Sequence, residues 1–342
     1  MTEHFWLGMV IILVGGALNG SFPLPLKYSR EWRWENTWLV FAVVALLVLP
    51  WGMAVQFVPR LGEAYRGVPH TALVYPLVFG FLWGIAQVTF GLGINAVGMA
   101  LAFAVVAGLS CVSGSLVPLL VLSPADLLRP RGILLMISIP ILLLGLSLYG
   151  AAGRRREKLQ AGSPASANSH ATSFAKGLAI CIFTGVFGST INLGFAFSGD
   201  ILRRSVQLGS SSTTSTYAVW ALVLSAGFIP NLLYCLYLLV RNRTWPLFTN
   251  PRGGKETLLG IAMGLLWLSG VVGYGIGATL VGKYGTSLGY ALFVASMILS
   301  SNLLGLLTGE WKGTTLETKR LLAAGVAVIL ISVVVLNLGG LF

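Results

Sequence analysis

TALVYPLVFGFLWGIAQVTFGLG, residues 71–93, runs for 23 residues without an Asp, Glu, Lys, Arg or His. As a helix it measures about 34 Å at ~1.5 Å per residue, enough for a hydrocarbon core of ~30 Å. Similar stretches fill the chain. Spans are predicted at 5–26, 36–57, 71–93, 97–121 and 132–150, then at 174–198, 216–240, 256–280, 286–308 and 320–340. The 342 residues are 56% hydrophobic and 9% charged, with a mean hydropathy of +0.86. A soluble protein of this length carries far more charge. The expected fold class is an all-α integral membrane protein with ten transmembrane helices, leaving no room for a large soluble domain.

Between the fifth and sixth spans, Arg154, Arg155, Arg156 and Lys158 precede AGSPASANSHATS, residues 161–173. This composition cannot bury a core, so 151–173 reads as a cytoplasmic linker between 1–150 and 174–342, each with five spans. Five is odd, so the halves enter the bilayer with opposite orientation. If they share a fold, they form a five-plus-five inverted repeat around a central cavity, the arrangement of many secondary transporters. Lys and Arg divide 15 against 7 between the two sides, with the linker on the richer side. That side is expected in the cytoplasm and both termini outside. The first span follows a start without a basic region, so it is expected to be a retained helix rather than a cleaved signal. Trp32, Trp34, Trp38, Trp245 and Trp311 cluster near span ends, where indole rings favour the headgroup level.

The net charge of +12 sits in loops, as membrane topology requires, so no nucleic-acid partner is expected. Cys111, Cys181 and Cys235 fall inside spans and read as packing residues. His4, His70 and His170 lie in loops or at span edges, and no spacing of ligands or catalytic groups suggests a metal, a cofactor or an enzyme. A phosphate-binding loop and an ion-selectivity motif are likewise missing from the sequence.

What the spans do contain is neutral polarity. Asn19, Gln87, Asn192 and Asn302 supply hydrogen-bond donors and acceptors, and Trp83, Trp220, Trp267 and Tyr274 supply flat apolar faces. Side chains of this kind avoid lipid and turn toward the bundle or a wet cavity. Together they suit an uncharged polyol or sugar. Trp83 precedes Gln87 by one turn, so the two share a face. Ser and Thr in spans, among them Thr89, Ser110 and Ser301, are expected to bond backbone carbonyls instead. Gly16 with Gly20 and Gly80 with Gly84 have the four-residue spacing that lets helices approach closely.

GGALNGSFPLPLKYSREWRWENTW, residues 15–38, with LPW at 49–51, resembles the first loop of the L-rhamnose–proton symporter family within the drug/metabolite transporter superfamily. Residues 82–110 resemble its third and fourth spans, and 264–277 and 305–311 its eighth and ninth. Trp34, Glu35 and Trp38, then Trp83, Gly84 and Gly91, and Glu310 with Trp311 carry the match. The resemblance implies proton-driven uptake of a neutral monosaccharide, L-rhamnose or a related deoxyhexose or pentose, across a bacterial inner membrane by alternating access. It implies a proton as coupling ion, for which Glu35 and Asp200 are the candidates. Both are expected at span edges, with Asp126 and Glu310, where carboxylates reach water. Two rivals stand beside this reading: an exporter or facilitator of another small metabolite on the same fold, and a membrane receptor without transport. One chain supplies both halves, so a monomer is expected.

Overall fold

The computed structural model describes residues 5–122, 124–160, 174–250, 253–281 and 288–338, and among the described residues every regular element is helical. Seven segments are long and apolar enough to cross a membrane, and three shorter apolar helical stretches, Leu101–Ser110, Phe174–Gly188 and Leu292–Leu307, accompany them. Contacts group the chain into two compact units. One comprises Met1–Gly20, Thr89–Gly188 and Ile276–Phe342; the other comprises Ser21–Val88 and Ser189–Gly275. Each takes helices from both halves of the sequence.

The first unit holds α1 (Phe5–Ser21), α6 (Met99–Leu122), α7 (Pro130–Gln160), α8 (Phe174–Gly188), α13 (Leu288–Leu307) and α14 (Leu316–Leu338). The second holds α2 (Trp34–Ala42), α3 (Leu49–Phe57), α4 (Leu61–Arg66), α9 (Thr190–Ala196), α10 (Gly199–Gln207), α11 (Thr216–Arg241) and most of α12 (Gly253–Val281). α5 (His70–Val97) starts in the second unit and enters the first at Thr89.

Apolar side chains gain little from leaving lipid for protein, so close backbone approach must supply much of the packing. In the first unit a β-carbon at Gly16 would overlap the Phe293 carbonyl, and one at Gly20 the Met297 carbonyl. Ser296 Oγ reinforces this α1–α13 seam by donating to the Leu13 carbonyl at 2.7 Å. α8 meets α6 similarly: Gly185 lies on Leu109, and Ser110 Oγ donates to the Gly185 carbonyl at 2.8 Å. α7 and α14 pair through Gly145 on Ile329 and Gly325 on Tyr149. In the second unit Gly80 and Gly84 of α5 sit on the Val223 and Gly227 carbonyls of α11, while Gly260 and Gly264 of α12 sit on Val40 and Val44 of the α2 segment. All four glycines expected at helix crossings are found there.

Three departures from the expected spans have local causes. The second span is a helix interrupted by a π-helical segment, Val43–Val48, between α2 and α3. Pro50 follows one residue on; it has no N–H, and its ring would crowd the Leu46 carbonyl, so the hydrogen bonds ahead of it lengthen by one residue, to the i→i+5 spacing. The sixth span, expected as one helix over 174–198, breaks between α8 and α9 near Gly188 and Ser189. α7 runs to Gln160, well past its expected end at 150, because RRREKLQ favours helix and Arg155 reaches Glu317 of α14 at 3.9 Å.

α5 and α6 meet at Gly98, where φ is +90°. Glu310 accepts from the Met99 N–H at 3.0 Å, and Arg156 donates to the Val97 carbonyl at 2.8 Å while lying over the Trp311 ring. A β-carbon at Gly98 would sit 2.9 Å from the Glu310 carboxylate.

Gly84→Ala should lower stability by about 1–3 kcal/mol, the usual cost of overpacking a tight seam. Gly52→Ala, where nothing lies within 4 Å, should be neutral or slightly stabilising. Thermal unfolding of the two purified variants in one detergent checks the contrast.

Candidate functional site

In the second unit, α5, α11 and α12 bring candidate residues from both sequence halves together. Trp83 of α5 and Trp267 of α12 pair with ring centroids 5.8 Å apart and planes tilted by 33°. The Trp83 ring also rests on Gly227 of α11, the one place on that helix where no side chain stands in the way. Gln87 lies one turn along α5 from Trp83 and is only 6% exposed, yet its Nε2 has no hydrogen-bond partner among the described residues. A buried amide N–H left unpaired costs about 1–3 kcal/mol, which a ligand hydroxyl or water can recover. Trp220, seven residues before Gly227, and Tyr274, seven after Trp267, lie on the corresponding faces of α11 and α12, both part-buried.

Asn231 is fully buried, and the sequence reading missed it. Its Oδ1 accepts from Trp38 Nε1 at 2.9 Å, and its Nδ2 donates to the Gly227 and Gly84 carbonyls at 2.9 and 3.2 Å. One amide thus ties α2, α5 and α11 beside Trp83. The available signal was an Asn four residues after a glycine inside an apolar helix. Trp38, expected at the headgroup level, is instead wholly buried and stacks on Trp34 at 4.9 Å.

The remaining candidates stand apart from this cluster. Asn19 and Asn302 belong to the first unit. Asn302 bridges helices: its Oδ1 accepts from Tyr149 Oη at 2.6 Å and its Nδ2 donates to the Ile298 carbonyl at 2.8 Å. Asn19 is buried between the two α1 glycines that meet α13. Asn192 falls within α9, but its side chain lies outside the described residues, as do those of Asp126 and Cys111. Ser301 bonds the Ile298 carbonyl as expected, whereas Thr89 pairs with the Thr184 hydroxyl of α8, a side-chain partner the expectation did not include. Cys181 and Cys235 are buried free thiols.

The carboxylates divide sharply. Glu35, expected at a wet span edge, is 3% exposed. Its Oε1 accepts from Asn242 Nδ2 and Thr244 Oγ1, both at 2.9 Å, and no Lys, Arg or His among the described residues pairs with it. The reason is the fold of the two loops around it. Glu256 accepts from Ser29 Oγ and from the Arg30 and Glu31 N–H groups, while Trp32 Nε1 donates to the Leu247 carbonyl at 2.9 Å. Asn36 Nδ2 donates to the Thr244 carbonyl at 3.0 Å. These bonds close the 22–33 and 242–250 loops over Glu35. A carboxyl held only by neutral donors can gain or lose a proton without breaking an ion pair. Asp200, by contrast, sits half-exposed in the first turn of α10, paired with Arg203 three residues on.

The family model described as L-rhamnose-proton symport protein (RhaT) matches residues 1–341. The chain is 24% identical to proteins named L-rhamnose-proton symporter from Yersinia pestis (strain Pestoides F) and Yersinia pseudotuberculosis serotype O:3 (strain YPIII), over 99% of this chain and 99% of each relative.

Asn231→Ala should cost about 1–3 kcal/mol, because Trp38 Nε1 is then left buried without an acceptor. Chemical or thermal unfolding of the purified variant measures it, and a value near zero would remove Asn231 as the tie between these helices.

Proposed function

The chain belongs to the L-rhamnose-proton symport protein family, a family of membrane transporters rather than enzymes, and on that premise we propose that it takes up a neutral deoxyhexose with a proton by alternating access. One observation carries the assignment of the sugar site. The unpaired Gln87 amide lies a turn from the Trp83–Trp267 pair, a hydrogen-bond donor beside an apolar wall. A deoxyhexose offers the matching pattern: a methyl group and C–H faces for the indoles, and hydroxyls for the amide. Trp220 and Tyr274 extend the wall; Asn192, whose side chain lies outside the described residues, stays a proposed donor by residue type alone. Asn19 and Asn302 serve packing in this reading.

Helices of both halves line this site, in keeping with a five-plus-five inverted repeat divided at the 151–173 linker. Reciprocal contacts support that repeat. Gly80 and Gly260, Gly84 and Gly264, and Gly145 and Gly325 are each 180 residues apart, and each pair makes matching seams. Gly80 and Gly84 meet Val223 and Gly227, which stand 183 residues after Val40 and Val44, the partners of Gly260 and Gly264. Gly145 rests on Ile329 and Gly325 on Tyr149, again 180 residues apart. The excess of Lys and Arg on the linker side supports insertion in the inner membrane with both termini outside.

For the proton, Glu35 is the better candidate. It is buried among neutral donors, whereas Asp200 is engaged with Arg203 at the surface.

L-rhamnose should raise the unfolding temperature of the detergent-purified protein by mass action. Gln87→Ala should abolish the shift and raise the KM for uptake about tenfold, the worth of one neutral buried hydrogen bond. No shift with any neutral monosaccharide would favour a different metabolite and sink the sugar reading. Glu35→Gln should stop accumulation driven by a proton gradient while sugar counterflow continues, and Asp200→Asn should leave both intact. Normal proton-driven accumulation in Glu35→Gln would take the proton away from Glu35.

A further inference from the structure

In the first unit, three helix ends and their cations converge. α7 ends in Arg154, Arg155 and Lys158; α8 begins with Lys176 in its first turn; α14 begins with Lys319 and Arg320 in its first two turns. All six side chains are exposed. The ends are held together by packing and charge. A β-carbon at Gly153 of α7 would lie 2.5 Å from the Phe174 ring of α8, and Arg155 reaches Glu317 of α14 at 3.9 Å. Acidic counterparts are few among the described side chains here. Glu317 faces Arg155, and Glu310 is turned inward to the Met99 N–H. Loop topology accounts for cations on this side of the membrane. It does not account for six of them meeting at the end of one unit with Glu317 as the exposed carboxylate among the described side chains.

Arg154 and Arg155 lie at the end of the apolar segment Gly132–Arg156, and Lys319 and Arg320 near the start of Leu316–Leu336. Their long side chains stand at the headgroup level, where the phosphates of anionic lipids are. A lipid phosphate is held at that level by its acyl chains, whereas a soluble anion is not.

We propose that this end of the first unit is a binding surface for an anionic phospholipid. Phosphate oxygens bond the guanidinium and ammonium groups of α7, α8 and α14, and the acyl chains run back along the apolar parts of these helices. The proposal is independent of the transported substrate. It concerns the lipid in which the protein works, and neither Glu35 nor Gln87 takes part.

The test uses the full chain in nanodiscs of phosphatidylcholine alone or with phosphatidylglycerol. Phosphatidylglycerol should raise the unfolding temperature and remain bound through delipidation, as read by mass spectrometry of extracted lipid. Its affinity should fall at least about tenfold in an R154Q/K158Q/K319Q/R320Q variant, given the attraction of each basic residue to an anionic surface. Arg66→Gln, in the second unit, should behave as wild type. A measurement on the wild type guards against a misfolded variant: the phosphatidylglycerol shift should shrink at about 0.5 M salt, where charges beyond several ångströms are screened. Equal stability in both lipids, a shift indifferent to salt, or equal lipid retention in the fourfold variant overturns the proposal. Inorganic phosphate producing the same shift in phosphatidylcholine discs overturns the lipid assignment.

Discussion

The Asn231 amide spends its hydrogen bonds on three helices at the place where glycine brings two of them closest. Gly84 and Gly227 have no side chains to keep α5 and α11 apart, so their backbones meet. Inside a bilayer the polar groups exposed by that approach cannot turn to water. Asn231 takes up both carbonyls and the Trp38 indole at once. The Trp83 ring is then free to lie over Gly227 and against Trp267, with Gln87 a turn away. Remove the amide or fill the glycine, and the indole wall loses its footing. The geometry of the candidate sugar site is therefore a by-product of how two helices solve a packing problem.

The same logic governs the loops after α1 and α11. Glu256 gathers a serine hydroxyl and two backbone N–H groups from the chain preceding α2, and Asn36 and Trp32 reach back to carbonyls of the 242–250 loop. The loops thereby shield Glu35 from solvent. Under the proposed proton role of Glu35, access to it would require these loops to part, so the contacts of Glu256, Asn36 and Trp32 would bear on coupling as well as on packing.

The sequence was explicit about what repeats locally and silent about what meets at a distance. Apolar length placed seven of the ten expected spans as helices long enough to cross a membrane, four-residue glycine spacing marked the crossings, and Trp83 with Gln87 followed from helical periodicity. Asn231 escaped notice because its three partners are far away in the chain. Glu35 looked like an edge carboxylate because position along a span says nothing about a loop folding over it. The π-helical segment before Pro50 left no mark on apolar length, which predicted one unbroken span over 36–57. The extension of α7 to Gln160 depends on α14 arriving beside it. Asn302 looked equivalent to Gln87 by residue type; the Ile298 carbonyl on its own helix and Tyr149 Oη on another satisfy its amide, whereas the Gln87 Nε2 has no partner among the described residues.

Gly98 has a genetic corollary. Every single-base missense change of a glycine codon yields Ala, Val, Ser, Cys, Asp, Glu, Arg or Trp, and each of these brings a β-carbon. At a φ of +90°, with the Glu310 carboxylate 2.9 Å from where that carbon would stand, none of them fits. Asp and Glu would add a second negative charge at the same spot. The turn is an island in sequence space: rebuilding Glu310 and Arg156 would clear the contact but leave the strain of the positive φ, so no single-base change at this codon is neutral.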